Sequence, residues 1–427
     1  MKKARVKCVL GIDTSNYKTS VALVDRDKNI ICDMRRLLKV KQGERGLRQS
    51  DALFQHIKNM PELIEEMKRE ADRLCADGYE IETVACSSRP RPVKGSYMPV
   101  FLAGESCGRS IASVLNVPCL FFSHQEGHIE AVKAFSEMKD EEHVLACHFS
   151  GGTCEVLSAR SIVADHDDTD RETLPGAANC EIASGNNAAH GDAVSPDGTD
   201  SEYLNGNAGY KNAGYEIEIV GGSKDISFGQ VIDRAGVELG MSFPAGEEMD
   251  RIAIRYAGEE SIGSKGTDSS SQDTAKAAGS LRNLTPIRVR DGWLNLSGID
   301  TQMKRILQSD SEHMQGNLIN DGIDLGTGID TDTEKASNAK RNENDALIAE
   351  LFEKISDAVI ELIVQCCGKT GIRHVIMAGG VSSSVFIRNA VGEELKRNGI
   401  NAEFDCGGLS QDNAVGTALL GGRSIWG

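Results

Sequence analysis

Short apolar runs alternate with amphipathic segments along most of the chain. Brief apolar runs that end in small or acidic residues are typical of buried strands, and apolar positions three and four apart indicate helices. The pattern predicts strands at Cys8–Asp13, Thr19–Asp25, Thr83–Ser87, Cys119–Phe122, Val144–Phe149, Thr153–Leu157 and His374–Met377. It predicts helices at Ser50–Leu74, Val100–Leu115, Ala346–Cys366 and Ala414–Gly421. Strands alternating with helices favour an α/β protein.

Three segments lack this pattern, namely residues 160–213, 258–280 and 309–345. They are rich in Asp, Asn, Gly and Ser, so they bury too little apolar area to offset chain entropy. We predict that they form long loops or disordered insertions. They also carry nearly all of the chain's net charge of −17. Because the remaining core is close to neutral, the acidic balance does not exclude a nucleic-acid partner.

Length and composition set further limits. A chain of 427 residues is long enough for two lobes, and we place these at residues 1–143 and 144–427, with the last helix, residues 413–421, able to return to the first lobe. No apolar run approaches the ~20 residues that a membrane span needs. The twelve cysteines are scattered and form no C-x-x-C pair. Together these features predict a cytoplasmic protein with reduced thiols and no membrane association.

Three of the predicted strands end in turns of small residues: Asp13-Thr14-Ser15, Ser150-Gly151-Gly152 and Gly379-Gly380. Such turns expose backbone N–H groups, which can bind a phosphate. A single turn of this kind is usually only a tight turn. Three of them, in two halves that echo each other, indicate two ribonuclease-H-like lobes with a nucleotide between them, as in the actin-like ATPase (ASKHA) superfamily.

A second candidate site contains His124 and His128. Histidines four residues apart share one helix face, so both can reach one metal ion. Two ordinary core or surface histidines would show the same spacing. Gln125 stands where a metallopeptidase helix of the H-E-x-x-H type has its catalytic Glu, which disfavours peptidase activity. Asp412 could supply an oxygen ligand, or it could cap the helix that follows.

These residues resemble, in order, the motifs of the TsaD family, the synthases of threonylcarbamoyladenosine in tRNA. The resemblance covers nearly the whole patterned core and skips the three acidic segments. The matching segments are Ile12–Ser15 with Thr19–Ala22, Ser123–Ile129, Phe149–Thr153, Asp225–Asp233, Phe243–Gly246, Leu296–Gly298, Ala378–Val381 and Asp412–Ala414.

The resemblance implies an acyl transfer from threonylcarbamoyl-AMP to N6 of an adenosine beside a tRNA anticodon. It implies one iron or zinc ion on His124, His128 and Asp412, with an AMP-containing substrate or ATP in the cleft. It also implies tRNA, TsaB-like and TsaE-like partners. The residues expected to bind the nucleotide or substrate are Asp13, Ser15, Ser150, Gly151, Gly152, Thr153, Asp233, Gly246, Gly379, Gly380 and Ser384.

Several positions depart from the family pattern. Thr153 replaces a His and Ser384 replaces an Asn that contacts nucleotide, while Asn16-Tyr17-Lys18 replaces C-D-E. Arg89-Pro90-Arg91-Pro92 replaces R-G-P-G. These changes leave two alternatives open. The chain could be a paralogous carbamoyl- or acyltransferase with another substrate, or a non-catalytic partner subunit.

Four basic residues are expected to lie near the predicted cleft: Arg89, Arg91, Lys94 and Arg109. We predict that they form a cluster that contacts tRNA phosphates or an anionic substrate. The alternative is a solvated loop that Pro90 and Pro92 keep extended.

Overall fold

The first half of the chain forms a five-stranded sheet flanked by two helices. The computed structural model describes residues 5–15, 17–41, 46–93, 95–162, 213–263, 284–320, 331–404, 408–409 and 411–427. The strands are β1 (Val6–Thr14), β2 (Lys18–Asp25), β3 (Ile30–Leu37), β4 (Tyr79–Arg89) and β5 (Cys119–Ser123). Their order across the sheet is β3-β2-β1-β4-β5. Helices α1 (Gln49–Leu74) and α2 (Phe101–Leu115) cover one face through residues such as Leu63 and Ala112.

The second half forms another sheet, ordered β9-β8-β7-β6-β10-β11. Its strands are β6 (His143–Phe149), β7 (Cys154–Ile162), β8 (Gly214–Ser223), β9 (Trp293–Leu294), β10 (His374–Ala378) and β11 (Asn401–Phe404). The helices that share a core with this sheet are α4 (Phe228–Glu238), α5 (Gly246–Gly263), α6 (Ser297–Asn320), α7 (Thr331–Thr370) and α8 (Val385–Arg397). A 3₁₀ turn, Gly380–Ser383, links β10 to α8.

The two sheets repeat one topology. In each, the first strand pairs antiparallel with the second and parallel with the fourth, as β1 does with β2 and β4, and as β6 does with β7 and β10. The third and fifth strands then extend opposite edges. The second sheet adds only the short β9. This duplicated order confirms the prediction of two ribonuclease-H-like lobes of the ASKHA type.

Two helices lie between the sheets. They are α3 (His124–Lys133) and α9 (Val415–Trp426), and they share a core with strands of both halves. That core includes Val9 and Leu120 from the first sheet, and Leu157 and Ile376 from the second. Helix α9 contacts β1, β2 and β4 as well as α3. The end of the chain therefore packs against its beginning.

The prediction of loops was wrong for parts of the acidic segments. Helix α5 continues to Gly263, α6 reaches Asn320, and α7 begins at Thr331 rather than near residue 346. These stretches contain Glu, Lys and Ala, which have high helix propensity, so they extend helices that pack elsewhere along their length. Residues 163–212, 264–283 and 321–330 lie outside the described residues. No helix in the described ranges is long and apolar enough to cross a membrane.

Candidate metal and nucleotide site

Helices α3 and α9 cross with their backbones in contact. A Cβ atom built on Gly416 would lie 1.8 Å from the carbonyl oxygen of Gly127, so only glycine fits at this crossing. Ser123 starts α3 with a capping box that includes Glu126. The crossing brings the first turns of α3 next to the loop before α9. His124 and His128 thus meet Asp412, which is almost three hundred residues away in sequence.

Three ligand atoms converge at this point. His124 Nε2 and His128 Nε2 are 3.0 Å apart. Asp412 Oδ1 lies 3.5 Å from His124 Nε2 and 3.3 Å from His128 Nε2. In the described part of the chain this is the group of three whose donors lie within 4.8 Å of one another. Two imidazole nitrogens and one carboxylate oxygen are a donor set that suits zinc or iron, so the residues fit the ion that the resemblance implies.

Asp13 and Ser15 hold two of these side chains in place. Asp13 Oδ1 is 2.8 Å from His124 Nδ1, and the hydroxyl of Ser15 donates to Asp412 Oδ2 at 2.9 Å. The resemblance assigned both residues to the nucleotide or substrate. The structure instead brings them to the candidate metal ligands, as carboxylates and hydroxyls behind metal-binding side chains commonly are. Asp13 is fully buried and its Oδ2 has no hydrogen-bond partner.

The charges around the three donors favour an ionised carboxylate. Burial alone would raise the pKa of Asp412, but His124 and His128 hold it well below its usual range. Burial alone would lower the pKa of His124, but Asp13 and then Asp412 raise it to about 10. Burial and the neighbouring His124 lower the pKa of His128. Without an ion, the neighbouring Asp13 and Asp412 thus favour the protonated form of His124.

A cavity of about 310 Å³ is linked to the candidate metal site by Tyr17, which lines the cavity and lies within electrostatic range of Asp412. Its lining comes from both halves of the chain: Tyr17, Gly151, Gln230, Asp233, Arg234, Phe243 and Lys304. Asp233 Oδ1 accepts the N–H of Ala245 at 2.8 Å, and the N–H of Gly246 also bonds to this carboxylate. Burial raises the pKa of Asp233 despite these bonds. The predicted pair Asp233 and Gly246 is thus brought together with Gly151.

The turn at Ser150–Thr153 is closed on itself. Ser150 Oγ accepts the N–H of Gly152 at 3.3 Å and of Thr153 at 3.0 Å. The start of α4 packs directly on this turn, because a Cβ on Gly229 would lie 2.7 Å from the Ser150 carbonyl oxygen. Of the predicted phosphate-binding residues, only Gly151 lines the cavity.

The remaining predicted residues, Gly379, Gly380 and Ser384, lie at or just after the third turn and have different surroundings. Gly379 has a φ of +90°, and a Cβ there would lie 2.4 Å from the Phe149 carbonyl oxygen, so it lets β10 approach β6 closely. Gly380 is exposed. Ser384 caps α8 and donates its hydroxyl to Asp250 Oδ1 at 2.5 Å. That bond directs Ser384 to α5 and not to the cavity lining.

Three of the four residues of the predicted basic cluster face acidic side chains. Arg89 lies 3.9 Å from Glu126, Arg91 pairs with Glu155 at 2.7 Å, and Arg109 pairs with Glu105 on its own helix. Lys94 lies outside the described residues. The acidic partners of Arg89 and Arg91 come from distant parts of the sequence, so the sequence pattern did not show them.

Two residues near the site, His148 and Tyr17, were not among the predicted site residues. His148 stands beside the metal candidates, with its ring centroid 4.6 Å from that of His128. Burial lowers the pKa of His148 well below its usual range, and His128 and His124 add to the effect. Tyr17 contacts Phe243 across the cavity at a centroid distance of 5.5 Å. Burial raises the pKa of Tyr17, with Asp233 and Asp412 adding to this. The sequence did offer one signal for both residues. His148 and Tyr17 each lie two residues from a small-residue turn, Ser150–Gly152 and Asp13–Ser15 respectively.

The fold and the site define the class: a two-lobed α/β protein of the ASKHA type, with a His-His-Asp cluster beside an interlobe cavity. The model of the family TsaD, described as tRNA N6-adenosine threonylcarbamoyltransferase, matches residues 39–199. A curated relative from Neorickettsia sennetsu carries the same description. It is 22% identical over 412 residues, covering 95% of this chain and 90% of the relative. These two matches bear out the resemblance to the TsaD family.

Solved structures were also found. One is full-length HypF with phosphate and nucleotide bound, which has a TM-score of 0.45 and 12% identity over 100% of this chain and 47% of that one. Another is component A of (R)-2-hydroxyglutaryl-CoA dehydratase from Acidaminococcus fermentans. Its TM-score is 0.40, with 13% identity over 96% of each chain.

Proposed function

We propose that this chain is a metal-dependent acyltransferase that forms threonylcarbamoyladenosine in tRNA. Its donor would be threonylcarbamoyl-AMP, and its acceptor the N6 amine of an adenosine beside the anticodon. The descriptions of the matching family and of the relative support the reaction. The observation that carries the proposal is the convergence of His124, His128 and Asp412 beside the interlobe cavity.

His124, His128 and Asp412 would hold one iron or zinc ion. When bound, such an ion acts as a Lewis acid toward carbonyl and carboxylate oxygens. With the ion bound, His124 would keep one proton on Nδ1, toward Asp13, and would offer the lone pair of Nε2 to the ion. Ser15 donates to the far oxygen of Asp412 and so directs the near oxygen toward the two histidines.

The cavity would hold the AMP part of the donor. The Asp233 carboxylate is placed to accept hydrogen bonds from ribose hydroxyls, while Gly151 lets a phosphate approach the backbone closely. Arg234 and Lys304 both bond to Asp300, so their charge is partly balanced before any ligand enters. Tyr17 and Phe243 offer aromatic surface to a nucleoside.

In the transfer, the N6 nitrogen bonds to the carbamoyl carbon as the bond from that carbon to the phosphate oxygen breaks. AMP leaves with the bonding electrons, and N6 loses one proton. An aromatic amine is a weak nucleophile, so we expect most of the rate enhancement to come from holding donor and acceptor together. Transient binding of tRNA, TsaB-like and TsaE-like protein partners, and a cytoplasmic location belong to this proposal.

The test is reconstitution with defined components. The purified chain, its TsaB-like and TsaE-like partners, unmodified tRNA and threonylcarbamoyl-AMP should give threonylcarbamoyladenosine, detected by mass spectrometry of tRNA digests. His128→Ala should abolish the product, while His143→Ala, on the neighbouring strand β6, should not. A folded, metal-loaded protein that forms no product under these conditions would contradict the proposal.

A paralogous transferase with another substrate is the second candidate. Tyr17 and Ser384 favour it, because one fills a position where the family has an acid, and the other bonds to Asp250. Metal-dependent release of AMP from threonylcarbamoyl-AMP without modified tRNA would favour this reading. Product formation that survives His124→Ala and His128→Ala would instead favour a non-catalytic partner role for this chain.

A further inference from the structure

A third imidazole lies beside the candidate metal ligands, on an element from the other half of the chain. His148 ends β6, and its ring centroid is 4.6 Å from that of His128 and 6.3 Å from that of His124. The residue is only 5% exposed. Its Nδ1 atom is buried and has no hydrogen-bond partner.

Neighbouring strands fix the position of His148. Its backbone is in register with Glu155 of β7 and Ala378 of β10. A Cβ on Gly379 would lie 3.1 Å from His148 Cδ2, so the glycine leaves room for the imidazole. The ring is therefore enclosed on one side by the sheet and faces α3 on the other.

A role in packing alone does not account for this residue. A buried polar nitrogen without a partner costs free energy, and an apolar side chain of similar size would fill the same space without that cost. Two histidines of the candidate metal site, His128 and His124, lie close to the ring. A metal ion is the partner that could satisfy a histidine nitrogen in such surroundings.

We propose that His148 is a further nitrogen ligand of the ion held by His124, His128 and Asp412. The inference rests on the metal site in the proposed function. His148 stands next to the three converging donors rather than among them, so its ligation requires β6 and α3 to approach each other. The ion would then connect the second sheet to the helix between the sheets, and metal binding would hold the two lobes together.

Cobalt(II) is a suitable probe because its visible absorption reports the number and type of its ligands. The full-length, metal-free protein is titrated with cobalt, and affinity and spectrum are recorded for wild type, His148→Ala and His148→Leu. We expect both variants to bind cobalt ~10–100-fold more weakly and with an altered spectrum. His148→Leu should leave the melting temperature of the metal-free protein unchanged or higher, and should reduce the increase that cobalt causes.

His143→Ala is the matched control, since His143 lies at the other end of β6 and pairs with Ser158. Wild-type affinity and spectrum in either folded His148 variant would overturn the inference. A weaker affinity with an unchanged spectrum would also overturn it, because His148 would then only position His128. His128→Ala separates the two proposals: if it too binds cobalt like wild type, the metal site itself is wrong.

Discussion

At the scale of single residues, the structure places Asp13 behind a candidate metal ligand. Its carboxylate holds His124 Nδ1 at 2.8 Å. Asp13→Ala should therefore weaken metal binding ~10–100-fold, the usual effect of removing such a partner. Asp13→Asn keeps an oxygen acceptor, so its loss should be smaller. Titration of the metal-free protein with zinc measures both, and Asp25→Asn, at the far end of the same hairpin, should match wild type. Equal loss in all three variants would contradict this role.

Ser384 was predicted to bind the nucleotide, but its hydroxyl makes hydrogen bonds within the protein. It donates to Asp250 and accepts the N–H of Ile387 at 3.1 Å, as the cap of α8. Ser384→Ala should lower the free energy of unfolding by about 1 kcal/mol and leave AMP affinity unchanged. Urea denaturation and calorimetric titration with AMP test the two parts. Ser383→Ala, one residue earlier, removes only the hydrogen bond to the Gly380 carbonyl, so it should cost less stability and leave AMP affinity unchanged. A large loss of AMP affinity with unchanged stability would restore the nucleotide role.

Site residues could be predicted from the sequence where the residues that act together lie close to one another along the chain. The i, i+4 spacing of His124 and His128 defines one helix face in any context, so sequence alone could pair them. The role of Asp13 arises from a contact across 111 positions, which no local pattern contains. The pairing of Arg91 with Glu155 has the same origin. The ion pairs of the predicted basic residues could not be foreseen from the sequence for this reason.

At the scale of elements, buried strands were predictable and half-exposed ones were not. The predicted strands at Cys8–Asp13 and Val144–Phe149 are apolar because both faces of their sheets are covered. Strand β3, Ile30–Leu37, was missed because Asp33, Arg35 and Arg36 interrupt its apolar pattern at the edge of the sheet. Edge strands commonly carry such charges, which discourage pairing with other chains.

The crossing of α3 and α9 leads to a prediction about glycine. Helix glycines usually destabilise relative to alanine by ~1 kcal/mol, but a Cβ at Gly416 would strike the backbone of Gly127. Gly416→Ala should therefore lower stability by ~1–3 kcal/mol through overpacking. It should also weaken metal binding, because Asp412 would move away from the two histidines. Gly258→Ala, in open space on α5, should stabilise the protein slightly. Urea denaturation and zinc titration measure both; a Gly416→Ala variant as stable as wild type would refute the tight crossing.

Asp225 joins the end of β8 to the start of α6. Its carboxylate accepts the N–H groups of Leu296 at 2.8 Å and Ser297 at 3.0 Å. Burial alone would raise the pKa of Asp225, but these hydrogen bonds hold it well below its usual range. The ionised form is thus favoured in the folded state, and its stabilisation is present above the ordinary aspartate pKa and lost as the pH falls toward the folded value.

Asp225→Asn should accordingly destabilise the protein by about 1 kcal/mol at neutral pH. The difference from wild type should stay constant down to about pH 5 and shrink below about pH 4. Urea denaturation across this range provides the measurement. The exposed Asp27→Asn should show no such dependence. A difference that grows with acidity would contradict the assigned direction of the pKa shift.

At the scale of the whole molecule, the repeat of one topology explains why the sequence could suggest two lobes. Each half begins with a strand that ends in a small-residue turn, Asp13–Ser15 in one and Ser150–Gly152 in the other. His124 and His128 lie on α3, and Asp412 lies just before the start of α9. These are the two helices between the sheets. Metal site and cavity therefore both depend on how the halves pack, which local patterns do not describe.

The acidic segment at residues 163–212 gives the last prediction. It connects two strand ends that already pair, since Ile162 of β7 is in register with Gly214 of β8. Replacing residues 163–213 with Asn-Gly leaves two residues between the paired positions Ile162 and Gly214. This change should preserve the fold, because such a two-residue turn closes an antiparallel hairpin. Zinc affinity should match wild type, as the candidate ligands lie elsewhere.

The same change should strengthen tRNA binding. The segment contains ten acidic and two basic residues, and its removal takes away negative charge that repels phosphates. Filter binding at low and high salt should show tighter tRNA binding by the shortened chain at low salt, with the advantage decreasing as salt screens the charges. A variant in which the ten acids become Asn or Gln separates charge from length, and it should reproduce the gain. Weaker tRNA binding by both variants would show that the segment contributes to the complex instead of opposing it.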